Sequence, residues 1–322
     1  MPKKTIPDIT AINAARRRIR SVAHRTPVLT STTFDKRFGA TLFFKCENFQ
    51  KTGSFKMRGA LNAVLNLKES AARKGVVTDS SGNHGQALAY AASIRGIPAH
   101  IVMPTIAPPV KISAVKGYGA TIHLCEPSMT GRHAARDQVI KETGAAYISS
   151  CSHTDIIAGQ ATAFAELLED APDLDVVLTP VGGGGLFAGT LLSASYLSPM
   201  TIVIGVEPAV ADDAKRSLAA GERIPSDYPS TIADGLKVSL GELPFDILSA
   251  RKATIATVSE EAIADATRYV WERLKIIIEP SSAVVIAALM EKKVDIAGKR
   301  VGLILSGGNV DLNHLPWEKD RK

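Results

Sequence analysis

The stretch DVVLTPVGGGGLFAGTLLSASYL, residues 175–197, places a strand-like run, a four-glycine turn and a helical run in succession. Four successive residues without a Cβ let backbone N–H groups converge on an anion at the start of the following helix. A phosphate is the anion that this arrangement favours. The stretch therefore predicts a strand, a phosphate-binding turn and a helix.

The same alternation of strand-like and helical runs extends outward from this stretch. Between residues 75 and 144, the runs GVVTDS, AHIVMP and ATIHLCE each precede a helical run that ends at a glycine, the residue that favours a helix C-cap. Beyond residue 200, the strand-like runs TIVIGVEP and RVGLILS continue the pattern. Alternation of this kind predicts an α/β fold with parallel sheets and helices on both faces.

Composition and charge limit the kinds of protein that this chain can be. Its 322 residues are 45% hydrophobic and 22% charged, which is typical of a globular protein with a substantial core. The net charge of +6 is spread along the chain except in ARRRIR, residues 15–20, which we interpret as a solvated helix face rather than a nucleic-acid contact. No apolar run reaches the ~18 residues that a membrane span needs, and the N-terminal basic residues lack the apolar region of a secretory signal.

The number and spacing of the cysteines indicate the kind of cellular compartment in which the protein is found. Cys46, Cys125 and Cys151 are odd in number and lack CxxC spacing, which argues against a disulfide framework and against a zinc site. Together with the composition, this predicts a cytoplasmic protein that contacts neither membrane nor nucleic acid.

Three glycine-containing loops follow strand-like runs, and two of them open helices. They are SSGNHGQ (80–86), VGGGGLFAG (181–189) and SGGNVDL (306–312). In open α/β sheets, ligands bind at the carboxyl ends of the strands. Residues 218–244 form a long segment rich in turn formers, and segments of that length inside a compact domain are often functional.

The glycine turn has two alternative interpretations. Gly183, Gly185 and Ala188 fit the GxGxxA dinucleotide fingerprint, and Glu207 ends the following strand where a ribose contact is expected. Alone, this segment favours a nicotinamide-binding protein. The other alternative is a flexible surface turn.

A lysine in an unusual setting decides between these alternatives. Lys56 stands in KTGSFKMRGA, residues 51–60, between an aromatic residue and a methionine. A phosphate site together with a lysine in a structured, partly apolar loop indicates a phosphorylated aldehyde bound as a Schiff base. We expect Lys51 and Arg58, if they lie close, to lower the pKa of this lysine from its ordinary value of about 10.4.

Seven segments in order along the chain resemble a known family. They are KTGSFKMRGA, SSGNHGQALAYAA, PVGGGGLFAG, EPAVADD, TIADGLK, IEPSSAV and LSGGNVDL. Together they resemble the fold type II pyridoxal-phosphate (PLP) enzymes, most closely the serine racemase and serine/threonine dehydratase branch, over residues 10–315. The resemblance implies an α/β fold of two open, twisted, mostly parallel sheets flanked by helices, as in tryptophan-synthase β-like enzymes. It also implies a large PLP-binding domain formed by residues 1–70 and 149–322, a small domain formed by residues 71–148, and a homodimer.

The resemblance assigns cofactor contacts residue by residue. Lys56 matches the lysine that binds PLP as a Schiff base and later moves the Cα proton, and Phe55 matches the residue beside the cofactor ring. Asn83 matches the asparagine at the pyridoxal 3′-oxygen, and Ser306 matches the serine that faces the pyridine nitrogen. The phosphate cup matches Gly182, Gly183, Gly184, Gly185 and Leu186.

Substrate contacts follow in the same way from the resemblance. Ser81 matches the serine on the ring face opposite the lysine in racemases of this branch, where it would act as a second acid/base group. Its alternative roles are a helix N-cap or a ligand of the substrate carboxylate. Arg132 matches the arginine near the substrate carboxylates, with a solvated helix-end arginine as the alternative, and Ser80 and His84 complete the predicted substrate contacts.

The segment EPAVADD matches a divalent-cation site of the same branch. Glu207, Ala211 and Asp213 would ligate Mg²⁺ or Ca²⁺ through two carboxylates and a backbone carbonyl, because hard cations prefer oxygen ligands. The alternative is an acidic strand-to-helix turn with carboxylates at the helix start.

The chain departs from the family at Asp79, where many relatives have a neutral residue or histidine, and at Ser149-Ser150, where relatives often carry His-Pro. The function that the resemblance implies is the PLP-dependent elimination of water from serine, threonine or 3-hydroxyaspartate. Racemisation of serine or aspartate would accompany it or be the main activity. A β-replacement synthase of the same fold carries a different substrate loop, and a nicotinamide-binding protein leaves Lys56, Asn83 and Ser306 without a role.

Overall fold

The computed structural model describes residues 5–107, 109–226 and 229–317. Their strands are, in chain order, Val28–Leu29 (β1), Thr41–Cys46 (β2), Val76–Thr78 (β3), Ala99–Pro104 (β4), Thr121–Cys125 (β5), Ala146–Tyr147 (β6), Val176–Pro180 (β7), Ile202–Pro208 (β8), Thr254–Val258 (β9) and Arg300–Leu305 (β10).

The α-helices alternate with these strands over most of the chain. They are Ile9–Ile19 (α1), Thr32–Phe38 (α2), Lys56–Asn66 (α3), Glu69–Ala72 (α4), Asn83–Arg95 (α5), Pro109–Gly117 (α6), Met129–Thr143 (α7), Thr154–Asp170 (α8), Gly185–Leu197 (α9), Asp213–Ala220 (α10), Glu242–Ala250 (α11), Glu260–Leu274 (α12) and Pro280–Met290 (α13). The predicted glycine C-caps of α5 and α7 are confirmed, since Gly96 and Gly144 follow these helices with φ of 69° and 68°. None of the helices formed by the described residues combines the length and apolarity that a bilayer crossing requires.

The first sheet has six strands in the order β1-β2-β10-β7-β8-β9. Only β1 runs antiparallel to its neighbour, β2. The last of the described strands lies between two that precede it in the chain, so that Gly302 of β10 pairs with Phe43 of β2 and with Val177 of β7. The carboxyl ends of these parallel strands meet at one edge of the sheet, which is where ligands bind in such folds.

The second sheet has four strands in the order β5-β4-β3-β6, all parallel to their neighbours. The two sheets confirm the predicted α/β class. All strands of this second sheet lie within the range 71–148 that was expected to form the small domain. The domain boundaries themselves remain a prediction.

Both faces of the six-stranded sheet are covered by helices. In β7, Val176 and Leu178 belong to an apolar cluster with residues of α12 and α13, whereas Val177 belongs to a second cluster with residues of α8 and α9. Successive residues of a strand face opposite sides of its sheet. A strand covered on both faces therefore has to be apolar throughout, which accounts for the continuous run that made β7 recognisable.

Candidate active site

The loop before α3 is hydrogen-bonded to the loop after β10. The Phe55 N–H donates to the Ser306 carbonyl at 3.0 Å, and the Gly308 N–H donates to the Gly53 carbonyl at 2.9 Å. Gly53 has a φ of 73°, and a Cβ there would lie 2.4 Å from Oδ1 of Asn309, so this turn requires glycine. These contacts join the start of α3 to the end of the central strand.

Lys56 begins α3 within this junction. Its Nζ donates a hydrogen bond to the Ser150 carbonyl at 3.0 Å and lies 5.1 Å from the centre of the Phe55 ring. Burial lowers the pKa of the Lys56 amine, although the charges of Cys151 and Glu279 act to raise it. A lowered pKa increases the fraction of neutral amine, which is the nucleophilic form.

The expectation that neighbouring cations cause this shift was wrong. Arg58 is fully buried, but its guanidinium is bonded to two carboxylates, with Nε 2.7 Å from Glu47 Oε2 and Nη1 2.8 Å from Glu166 Oε1. Lys51 lies near the Tyr90 hydroxyl, 3.5 Å away. Neither cation is among the causes of the Lys56 shift, and desolvation of the amine accounts for its direction.

The four-glycine turn after β7 forms a tight cup at the start of α9. Gly184 has a φ of 81°, and a Cβ there would lie 2.6 Å from Leu240 Cδ1. A Cβ on Gly183 would lie 2.8 Å from the Cys151 Sγ, and one on Gly182 would lie 3.0 Å from the Leu236 Cα. Side chains are thus excluded, and the first N–H groups of α9, which have no intrahelical acceptors, are available to an anion.

The segment predicted as irregular and functional folds over this cup. Between α10 and α11 its described residues form only the short 3₁₀ turn Asp234–Leu236. The Gly241 N–H donates to the Gly183 carbonyl at 3.1 Å, and Leu236 and Leu240 supply the close contacts described above. The long loop therefore forms one wall of the cup.

Asn83, at the start of α5, joins the second sheet to this centre. Its Nδ2 donates to both carboxylate oxygens of Glu279 at 3.1 Å, and its Oδ1 accepts from Asn309 Nδ2 at 2.9 Å. Asn309 also donates to the Thr52 carbonyl at 2.8 Å. Loops from both sheets thus converge on the space beside Lys56.

The SSGNHGQ loop lies between β3 and α5. Ser80 and Ser81 are partly exposed, and the N-cap of α5 is Gly82, which makes no side-chain capping bond. The alternative role of Ser81 as a helix N-cap is therefore wrong. Gly85 lets the loop pack directly on the helix, because a Cβ there would lie 2.1 Å from the Ser80 carbonyl oxygen.

His84 is buried behind this loop. Its Nε2 lies 3.1 Å from the Ile148 carbonyl, while its Nδ1 is buried and has no hydrogen-bond partner among the described residues. Burial, assisted by the charge of Lys56, lowers the pKa of His84 to about 3. A neutral ring that donates from Nε2 leaves Nδ1 as an acceptor for a ligand donor.

Arg132 lies in the first turns of α7, whose N-cap Ser128 accepts a hydrogen bond from the Gly131 N–H at 3.0 Å. The Arg132 Nε is buried, and within the described residues it has no hydrogen-bond partner. A buried donor without an acceptor costs free energy. A bound carboxylate would satisfy it.

The comparisons with known proteins agree with this geometry. Residues 19–307 match the family model described as "Pyridoxal-phosphate dependent enzyme". The chain belongs to this family. It is 47% identical to the β-hydroxyaspartate dehydratase of Paracoccus denitrificans over 312 residues, which are 97% of this chain and 99% of the relative.

Two solved structures of serine racemases have the same fold. The enzyme from Dictyostelium discoideum superposes with a TM-score of 0.90 at 47% identity, covering 95% of this chain and 99% of that one. Maize serine racemase superposes with a TM-score of 0.93 at 43% identity, covering 96% of this chain and 95% of that one. The family match supports the PLP interpretation over the nicotinamide alternative.

The chemistry of the site fits PLP, the cofactor of this family. The cup fits a phosphate, and an amine with a lowered pKa fits an aldehyde. Ser306 is buried with its Oγ 3.1 Å from Ser282 Oγ, so it offers a neutral partner to a ring nitrogen. The individual contacts of Phe55, Asn83, Gly182–Gly185, Leu186 and Ser306 with the cofactor remain predictions.

The predicted cation ligands come together at the end of β8. Glu207 and Asp213 are both buried and accept backbone hydrogen bonds, from the Lys215 N–H at 2.9 Å and the Leu240 N–H at 2.8 Å respectively. Burial, opposed by backbone bonds and reinforced by Asp213, raises the pKa of Glu207 to about 8. Ala211, whose carbonyl is the third predicted ligand, is buried in the 3₁₀ turn Ala209–Ala211, which lies between them in the sequence.

Two adjacent buried carboxylates fit a cation, because each is costly to ionise without a positive partner. No group of three or more His, Cys, Asp or Glu side chains forms a candidate metal site in the part of the chain that the structure describes. Any cation here would need the Ala211 carbonyl and water to complete its shell. The site therefore remains a prediction that the acidic pair supports.

Some residues of the site had no predicted role. Glu279, Ser282 and Asn309 lie within IEPSSAV and LSGGNVDL, so the motifs located them although their contacts could not be read from the sequence. Cys151 forms a wall of the cup and influences the Lys56 amine, yet no motif contains it. All three cysteines are free, as their number and spacing indicated.

Proposed function

We propose that this PLP enzyme eliminates water from a small β-hydroxy amino acid, and that 3-hydroxyaspartate is the substrate that its site fits best. Loss of water gives an imino acid, whose hydrolysis releases a 2-oxo acid and ammonia. The choice of substrate rests on the buried Nε of Arg132, which lacks a hydrogen-bond partner among the described residues. Arg132 lies on α7, the helix that packs against the second sheet. The 47% identity to a β-hydroxyaspartate dehydratase supports the same choice.

Serine and threonine are the alternative substrates. Racemisation of serine or aspartate is the alternative activity, which the equal identity to the Dictyostelium serine racemase supports. A racemase needs acid/base groups on both faces of the substrate. Lys56 and Ser81 are the two groups that we assign to them.

When bound, PLP withdraws electrons from the substrate Cα and so weakens its bond to the α-proton. Lys56 then acts as the base that takes this proton, because burial lowers the pKa of its amine and so favours the neutral form. The Ser150 carbonyl, 3.0 Å from Nζ, orients the amine. Ser81 returns or removes a proton on the other face.

The remaining groups bind and orient. Backbone N–H groups of the glycine cup hold the phosphate at the positive end of α9. Asn83 and Ser306 hold the ring, and Ser306 does so through a neutral hydroxyl, which does not enforce ring protonation as a carboxylate would. The Arg132 guanidinium binds the distal carboxylate of the substrate, where a charge-assisted hydrogen bond satisfies its buried donor.

We further propose that Glu207, Asp213 and the Ala211 carbonyl bind Mg²⁺ or Ca²⁺, and that the enzyme is a cytoplasmic homodimer. The acidic pair supports the cation, and the family resemblance supports the dimer. The free cysteines are compatible with a reducing compartment. Light scattering of the purified protein tests the dimer, and a monomer would contradict it.

The test of the function is a panel of D- and L-amino acids assayed for 2-oxo acid release and by chiral chromatography. We expect the wild-type enzyme to release 2-oxo acid from 3-hydroxyaspartate with the highest kcat/KM. Borohydride should trap the cofactor on Lys56, and Lys56→Ala should lose activity. A reduced cofactor mapped to another lysine, or no activity on any β-hydroxy amino acid, would contradict the proposal.

Two variants separate the assigned roles. Ser81→Ala should retain PLP and much of the elimination from L-substrates, but lose interconversion of enantiomers and activity on D-substrates. Arg132→Met should lower kcat/KM for 3-hydroxyaspartate more than for serine, because only the former has a distal carboxylate. Equal losses in both comparisons would mean that these side chains only maintain the shape of the site.

A further inference from the structure

Asp79 links the SSGNHGQ loop to two other elements of the fold. It follows β3 and directly precedes Ser80 and Ser81. Its Oδ2 accepts from Arg136 Nη1 at 3.2 Å, and its Oδ1 accepts from the Tyr147 hydroxyl at 3.1 Å. One carboxylate thus binds the loop to side chains from α7 and β6.

The contacts of Asp79 are sheltered from solvent. Its side chain is 14% exposed and that of Arg136 is 17% exposed. The Arg136 guanidinium also lies 4.7 Å from the centre of the Tyr147 ring. Partly buried charge pairs with more than one contact are screened less and hold geometry better than exposed pairs.

Two arginines of α7 have contrasting surroundings. Arg136 is one helical turn beyond Arg132, and residues four apart lie on the same helix face. Arg136 is bonded to Asp79 and to Asp137, whereas Arg132 forms no ion pair with any described residue. The Cys125 thiol is within electrostatic reach of both Asp79 and Arg132, so all of these groups lie close together.

We propose that Asp79 is a positioning residue of this site, which fixes the Ser81 loop against α7 and neutralises Arg136 so that Arg132 alone meets the substrate. The proposal rests on the proposed function, because it assumes that Ser81 and Arg132 contact the substrate. It predicts two separable effects of removing the Asp79 charge. The loop loses its anchor, and the Arg136 guanidinium loses the more buried of its two carboxylate partners.

The first effect concerns kcat. In Asp79→Asn we expect kcat for serine and for 3-hydroxyaspartate to fall roughly tenfold to a hundredfold, the loss that a misplacement of about 1 Å causes. The second effect concerns substrate affinity. KM for 3-hydroxyaspartate should fall relative to KM for serine by at least roughly threefold, because the charge of Arg136 is then less compensated and attracts the additional carboxylate.

A matched control is available in the same network. Asp137→Asn is the same substitution and removes a carboxylate from the same arginine, with Oδ1 2.8 Å from the Arg136 Nη2, but this aspartate is 64% exposed and does not belong to the loop. We expect kcat and KM of Asp137→Asn to stay within about twofold of wild type. The double variant Asp79→Asn with Arg136→Met should lose little more kcat than Asp79→Asn alone, since both substitutions break the same ion pair between Asp79 and Arg136.

A binding measurement tests the charge effect without turnover. Succinate, a dicarboxylate without an amino group, is titrated into the PLP-loaded enzyme and followed by cofactor absorbance. Asp79→Asn should bind succinate at least roughly threefold more tightly than wild type, and Asp137→Asn should not.

These results distinguish the two levels of the proposal. An inactive wild-type enzyme that still shows the succinate difference would contradict the proposed function and support the role of Asp79. An active wild-type enzyme with kcat of Asp79→Asn within twofold would overturn the role of Asp79. Equal losses in Asp79→Asn and Asp137→Asn, or additive losses in the double variant, would also overturn it.

Discussion

Two buried charged clusters of this protein are built in opposite ways. At α3, Arg58 is buried with Lys45 and Glu47, and Glu166 beside them is half-buried. The charges are balanced, because Arg58 bonds both carboxylates and Lys45 Nζ lies 2.8 Å from Glu166 Oε2. At the end of β8, Glu207 and Asp213 are buried next to each other, and neither forms an ion pair with any described residue.

The pKa values record this difference. Burial would raise the pKa of Glu166, but its bonds to Arg58 and Lys45 outweigh burial and lower it. In Glu207 burial prevails, and Asp213 adds to it, so the pKa is raised to about 8. The comparison indicates that the charges of the first cluster are balanced within the chain, whereas those of the second are not; the cation that would balance them remains a prediction.

The largest expected effect comes from breaking the balanced cluster. Arg58→Met would leave the buried Glu47 and the half-buried Glu166 with Lys45 as their remaining cation. Removing one partner of a buried ion pair costs about 3–5 kcal/mol. Urea denaturation should show a loss of this size in the free energy of unfolding.

The control for this variant is Arg73→Met, which removes an arginine whose side chain is 79% exposed. Surface substitutions of this kind change stability by no more than about 0.5 kcal/mol. A loss in Arg58→Met no greater than in Arg73→Met would show that the cluster is not a source of stability.

The next largest effect is expected when a cation is added to, or removed from, the acidic cluster of Glu207 and Asp213. If a cation binds Glu207 and Asp213 only in the folded state, chelation should lower stability, by about 2.7 kcal/mol where the free cation had been at 100 times its Kd. Thermal melting with EDTA, followed by Mg²⁺ or Ca²⁺ added back, measures this change.

Glu207→Gln should abolish the response to chelator, because it removes a charged ligand. Glu222→Gln, an exposed change in the loop after α10, should keep the response of the wild type. Identical melting curves with and without chelator would assign the acidic pair to helix capping alone.

The smallest expected effect concerns His84, an ionisable group that is buried in its neutral form. His84 has no charged partner and stays neutral, since burial lowers its pKa from 6.5 to about 3. Because the pKa of His84 is lower in the folded state than in the unfolded state, neutral His84 contributes fully to the free energy of unfolding above pH 6.5. This contribution is lost as the pH falls towards 3. The loss amounts to about 1.4 kcal/mol per pH unit within that window.

His84→Gln keeps a donor for the Ile148 carbonyl but cannot be protonated. Its stability should therefore fall less steeply than that of the wild type between pH 6.5 and pH 4, as measured by urea denaturation at each pH. Parallel pH profiles would contradict the assignment of a buried neutral histidine.

Much of the fold was predictable because it depends on local patterns. Strand-like runs that precede helical runs predicted the parallel sheets, and Gly96 and Gly144 end their helices as expected. Strand order was not predictable. The position of β10 between β2 and β7 depends on which apolar faces pack together in three dimensions, and no local pattern records that choice.

In the candidate site, too, residues that lie together in a motif were predictable, whereas contacts between motifs were not. Lys56 and Gly182–Gly185 could be singled out because the chemistry predicted for them needs particular residues in sequence, and the family match supports that interpretation. The contact of Asn83 with Glu279, and the wall that Cys151 forms beside the glycine cup, join residues that no motif connects. Such contacts exist only after the sheets have formed.

By itself, the sequence determined the residue types: a lysine at position 56, four glycines after β7, and acidic residues at positions 207 and 213. The tertiary structure alone decided their electrostatic states. Lys56 has a lowered pKa because it is desolvated and not because Arg58 is near, while Arg58 is compensated by Glu47 and Glu166 and Glu207 lacks such compensation. Burial and the distance to an opposite charge set the pKa of each group, and both are properties of the packed chain.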